Sequence, residues 1–78
     1  MKSNFIELSS ASINENKDIV ISLHEKGGYT LGQKLNVDDN GRKTGMFLKN
    51  AIHIDNVSGL YNLRDALNLA IHRIEKNQ

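Results

Sequence analysis

Apolar residues recur along this chain in two rhythms, and the change of rhythm divides it. Ile19, Ile21 and Leu23 alternate with Val20, Ser22 and His24, the period-two pattern of a half-buried strand. A longer alternation follows, with Tyr29, Leu31, Gln33, Leu35 and Val37 on one face and Thr30, Gly32, Lys34 and Asn36 on the other. Phe5 to Ile13 suits a strand too, although its alternation is blurred. A fourth strand is predicted from about Arg42 to Leu48, and Ala51-Ile52-His53-Ile54 can continue it after a bend. With no proline, the breaks fall to glycine and Asx residues. They are the polar turn Asn14–Asp18, the loop Lys26-Gly27-Gly28, and Asp38-Asp39-Asn40-Gly41. The Asn-Gly step of the last predicts a hairpin, because both residues tolerate positive φ.

Beyond Asp55 the step lengthens. Leu60, Leu63, Leu67, Ala70, Ile71 and Ile74 recur at three- and four-residue intervals, while Asn62, Arg64, Asp65, Asn68, His72 and Arg73 face away. That is an amphipathic helix over about 57–76. Asp55 or Asn56 can cap its start, and Arg73 and Lys76 suit the negative end of its dipole. Strands over about 5–54 followed by one helix predict an α+β fold, with a four-stranded antiparallel sheet in the order β-β-β-β-α. Residues 1–78 are expected to form a single domain.

A chain of 78 residues buries only ~60% of the surface its unfolded form exposes, and its own core supplies only ~3–5 kcal/mol. Disulfides and thiolate metal sites cannot supplement it, because there is no cysteine. His24, His53 and His72 are far apart, and none sits among carboxylates at ligand spacing, so no metal is expected. Oligomerisation remains, and a homodimer is expected. Met46-Phe47-Leu48 makes both faces of its strand apolar, so one face can take the helix and the other a dimer contact or a ligand. The lack of cysteine suits a reducing cytoplasm. Residues 1–5 lead into no apolar stretch suited to a signal peptide or membrane helix, so a soluble cytoplasmic chain is expected.

Net charge is only +1, but it is uneven: residues 26–54 carry +3, from Lys26, Lys34, Arg42, Lys43 and Lys49 against Asp38 and Asp39. A mildly basic middle can attract phosphate. Catalysis is not expected. Gly27-Gly28 lies between strands rather than before a helix, so it is not a phosphate loop. His24 and Glu25, as neighbours on a strand, point to opposite faces. Asp38-Asp39 is explained by turn chemistry. No motif calls for a cofactor or a small-molecule substrate. Gly41-Arg42-Lys43-Thr44-Gly45 is the most informative stretch: paired cations at a strand start, with a glycine that permits close approach. Cations along strands with occasional aromatics suit single-stranded nucleic acid, and the plain alternative is a solvated hairpin stem.

Two segments carry a family resemblance. Ile19-Val20-Ile21-Ser22-Leu23-His24-Glu25 resembles a strand ending in Arg-Glu, with histidine in the arginine place. Gly41-Arg42-Lys43-Thr44-Gly45-Met46-Phe47-Leu48 resembles a Gly-Arg-Lys-Gly stretch followed by apolar residues, with one residue inserted. In this order, before a C-terminal helix, they resemble the positive cofactor four family of transcriptional coactivators, which bind single-stranded DNA. The resemblance spans roughly residues 5–76. It implies a curved four-stranded sheet, dimerised through the helices, that presents two antiparallel grooves to separated strands during transcription, replication or recombination. Lys43 and Gly45 would sit in the groove, with Arg42, Lys34, Lys26 and His24 as further phosphate contacts. Tyr29 and Phe47 would be the stacking residues. Around the family's first basic hairpin only Lys17 is basic here, tryptophan is absent, and the Lys49–Asp55 connection is longer. RNA is an alternative ligand, and a cytoplasmic location on a nucleoid or in an infected host cell would follow. The rival is a small interaction module or inhibitor docking on a partner enzyme. A duplex-binding helix is disfavoured, because Arg64 stands beside Asp65 and Arg73 near Glu75.

Overall fold

The computed structural model describes residues 5–77. Five strands, β1 (Phe5–Asn14), β2 (Lys17–His24), β3 (Tyr29–Val37), β4 (Lys43–Phe47) and β5 (Ile52–Ile54), precede one helix, α1 (Val57–Lys76). The sheet is antiparallel with order β1-β2-β3-β4, and β5 also pairs with β3. The fold is therefore the α+β arrangement the pattern predicts, with its fourth strand split. β4 pairs with the Lys34–Val37 half of β3 and β5 with Tyr29–Leu31. Between them the Leu48 N–H donates to the Gln33 carbonyl at 2.9 Å, so one strand in effect bends away and returns.

Register explains the blurred alternation of β1. Glu7 pairs with Ser22 and Ser9 with Ile21, so one extra residue on β1 is bulged there, and a second shift lies between Ser12 and Asn14. Each bulge resets which face the following residues occupy.

The turns are tighter or more local than their composition suggests. Only Glu15 and Asn16 lie between β1 and β2, since Asn14, Lys17 and Asp18 belong to the strands. The loop before β4 is not a two-residue Asn-Gly turn. Gly41 has φ +82°, whereas Asn40 does not enter the positive-φ region. An Asx turn shapes it instead: Asp38 Oδ1 accepts from the N–H of Asn40 and of Arg42, both at 2.9 Å. At the start of α1, Asn56 is the cap residue, with extended backbone but no side-chain capping bond.

The sheet has two unlike faces. Ile6, Leu8, Ile19, Ile21, Leu23, Leu31, Leu35, Met46, Ile52 and Ile54 belong to the face on which α1 lies. The first turn of α1 docks on β5 so closely that a Cβ at Gly59 would stand 2.5 Å from Ile54 Cγ2. Farther along, the helix stands away from the sheet across a gap of about 520 Å³ lined mainly by Leu8, Ile21, Leu60, Leu63, Leu67 and Ile71.

Burial within one chain is correspondingly thin. Among the described residues only Val20 (2% exposed) and Leu31 (8%) are buried apolar side chains, and they sit on opposite faces of the sheet. The accessible surface is 6533 Å², against about 4,700 Å² for a compact monomer of this mass. The radius of gyration is 14.7 Å, against about 11.5 Å for a compact chain of this length. Leu67, Ile71 and Ile74, in the apolar stripe of the helix, are half or more exposed.

Candidate nucleic-acid interface

The face opposite the helix is built in rows that cross the strands. Glu7 pairs with Ser22, Ser22 with Thr30 and Thr30 with His53, giving a polar row over β1, β2, β3 and β5. Ser10, Val20 and Gly32 form the next row, and Ser12, Asp18, Lys34 and Phe47 the one after. Beyond the polar row, Phe5 pairs with His24, the two rings meeting edge to face at 4.8 Å between centroids.

The middle of this face is hollow, with a cavity of about 450 Å³. Val20 and Gly32 contribute from the central row, Glu7, Ser22 and Thr30 from the polar row, and Phe47, Leu48 and Ala51 from the split edge strand. Phe47 reaches diagonally over Gly32: its Cδ1 lies 3.3 Å from where a Cβ would be. The absence of a side chain at 32 lets the ring rest on the sheet, yet Phe47 remains 54% exposed. An exposed ring in an apolar hollow is a surface on which a base can stack.

Cations gather at one end of this face. The Lys34 stem passes over Gly45, where a Cβ would stand 3.7 Å from Lys34 Cε. The space that glycine leaves is thus met by a lysine stem, and the close approach expected at Gly45 is made from within the chain. Lys43 opens β4 opposite Val37. Arg42 is held just before it, its N–H on Asp38 Oδ1 and its carbonyl accepting from Asp38 N–H at 2.9 Å. At the other end, His24 Nδ1 accepts from the Lys26 N–H at 3.1 Å, which leaves Nε2 as the ring's donor in the neutral form.

His24, Lys34, Gly45 and Phe47 therefore share the open face, with Arg42 in the hairpin at the Lys34 end and Lys26 in the turn beside His24. Lys17, Tyr29 and Lys43 do not join them, Lys43 because it is paired with Val37 on the helix face. Lys17 is in register with Leu35, and Tyr29 with Leu23 and Ile54, which puts both on the helix face. The odd-numbered residues of β2 and β3 all belong to that face, so Tyr29 cannot stack in the same groove as Phe47. Glu7, Ser22 and Thr30 were not singled out by sequence. Alternation along β2 and β3 could have found Ser22 and Thr30. Glu7 depends on the β1 bulge, which no periodicity reveals.

The helix offers no counterpart to this face. Arg64 pairs with the adjacent Asp65 at 3.1 Å and lies 5.1 Å from the Tyr61 ring centre, so its charge is locally compensated. Among the described residues, no three histidine or carboxylate side chains are grouped to hold a metal ion, and no helix is long and apolar enough to cross a membrane. Comparison with protein-family models, curated proteins and solved structures finds no match to this chain.

Proposed function

We propose that this protein binds single-stranded DNA on the open face of its sheet, as a homodimer joined through its C-terminal helices. The observation that carries this is the pairing of an exposed Phe47 ring in an apolar hollow with Lys34 in the same row and Arg42 at the adjoining hairpin. Rings stack on bases without regard to sequence, while cations at strand spacing follow the phosphates. Duplex DNA would not present its base faces to such a hollow. The role is that of a binder rather than an enzyme, and it agrees with the resemblance to the positive cofactor four family. Such a protein would hold melted or unpaired DNA during transcription, replication or recombination, in the cytoplasm of its host.

The dimer is supported by the thin burial. One chain leaves Leu67, Ile71 and Ile74 of α1 and Ile6, Leu8, Met46 and Ile52 of the helix face exposed. A second copy covering these would bury the surface that one chain exposes in excess of a compact fold of this size. The same exposure favours one rival, docking of the helix face on a partner enzyme.

The test is fluorescence anisotropy with a labelled strand of about 20 nucleotides and its matched duplex, across a salt series. Tight binding that favours the single strand and weakens with salt is expected. No binding at low salt would overturn the proposal in favour of the protein-docking role.

A further inference from the structure

We infer, resting on the single-strand role proposed above, that the hollow holds one unstacked guanine, with Glu7 as the residue that selects it. Among the described residues the lining contains no cation, and its only charged side chain is Glu7. A carboxylate repels phosphate, so the strand's backbone passes outside the hollow, along Lys34 and Arg42, and a base enters. A volume of about 450 Å³ lies within the ~300–1,000 Å³ range of small-ligand clefts. Val20, Gly32 and the exposed Phe47 ring supply the apolar contact for the base's face.

The polar row supplies the discrimination. Glu7 and Ser22 are direct cross-strand neighbours, and both line the hollow. Among the described residues neither side chain has a hydrogen-bond partner, whereas Thr30 Oγ1 is 3.4 Å from His53 Nδ1. Proteins read unstacked bases along their Watson–Crick edges. An ionised carboxylate can only accept hydrogen bonds. Guanine alone presents two adjacent donors on that edge, N1–H and N2–H, which match the two carboxylate oxygens. Cytosine and adenine offer one amino group there, and thymine one imide N–H. Beside guanine's donors lies O6, an acceptor suited to the Ser22 hydroxyl, which can donate. Paired charge-assisted bonds of this kind are the strongest available to a base edge.

The experiment compares, at fixed salt, an all-thymine strand of about 20 nucleotides with thymine strands carrying isolated guanines or inosines at the same places. Guanine is expected to tighten binding about tenfold, the discrimination of one good bidentate contact. Inosine, which keeps N1–H and O6 but lacks the N2 amino group, should lose most of that gain. Glu7→Gln should bring the guanine-to-thymine ratio close to one, because the amide both accepts and donates. Equal affinity of the wild type for thymine and guanine strands would overturn the guanine pocket and leave the single-strand role standing. A guanine preference that survives Glu7→Gln, or that inosine matches, would also overturn it. No binding to any of the strands would overturn both.

Discussion

Phe47 lies over Gly32, with its Cδ1 3.3 Å from the point a Cβ would occupy, although the residue paired with Phe47 across β3 and β4 is Lys34. The ring leans one row away from its own partner to fill the gap a glycine leaves. An aromatic side chain is thereby held on the open face while still half exposed, next to a lysine in its own row.

Removing that ring should cost binding rather than folding. Phe47→Ala is expected to weaken single-strand affinity by about 1–3 kcal/mol, the range for a base–aromatic stack. Gly32→Ala would force the ring aside by a few tenths of an ångström. Its stability should change by less than about 1 kcal/mol, since the clash is offset by lower entropy in the unfolded chain. Anisotropy and thermal melts on both variants check this. Wild-type affinity in Phe47→Ala would remove the ring from the interface.

The cationic hairpin should act through charge. In Arg42→Ala, the slope of log affinity against log salt should shallow by a little less than about 1, the loss of one phosphate contact on a single strand. The melting temperature should hardly move, because the side chain is exposed and forms no ion pair among the described residues. An unchanged slope in the folded variant would exclude this hairpin from the DNA path.

Gly59 offers a prediction in which local propensity and packing disagree. Alanine in place of a helical glycine ordinarily stabilises, by up to about 1 kcal/mol in a helix interior and less in the first turn, where Gly59 lies. Here its methyl would meet Ile54 Cγ2 at 2.5 Å, and the β-branched isoleucine has little freedom to move. Gly59→Ala should therefore lower the melting temperature. Adding Ile54→Ala should make the alanine at 59 tolerated, so the two changes would be strongly non-additive in a double-mutant cycle.

The helix stripe should make stability depend on concentration. If α1 joins two copies, the melting temperature rises with protein concentration and sedimentation gives twice 8.7 kDa. Leu67→Glu, which sets a charge in the exposed stripe, should abolish both effects or leave the chain unfolded. A wild-type chain that sediments as a monomer and melts independently of concentration would rule the dimer out.

How far the sequence alone reaches can be followed strand by strand. The unbroken alternation of β2 and β3 determined their faces, because side chains on a strand have a period of two and neither strand carries a bulge against the other. The three- and four-residue step from Leu60 to Ile74 determined the helix, because that period puts its apolar residues on one side. Lack of cysteine and small size determined that one chain's core is thin, a matter of surface against volume. Tertiary structure alone decided the rest. The bulge near Leu8 turns Glu7 to the open face, a choice made by pairing with β2 and invisible in β1 itself. The bend at residues 48–51 splits the edge strand and lets Leu48 and Ala51 line the hollow. Register brought Lys34 and Phe47 into one row and set Lys43 opposite Val37 on the helix side. Periodicity is a property of one segment, whereas a site is a relation between segments, and only their hydrogen-bonded register sets which side chains meet.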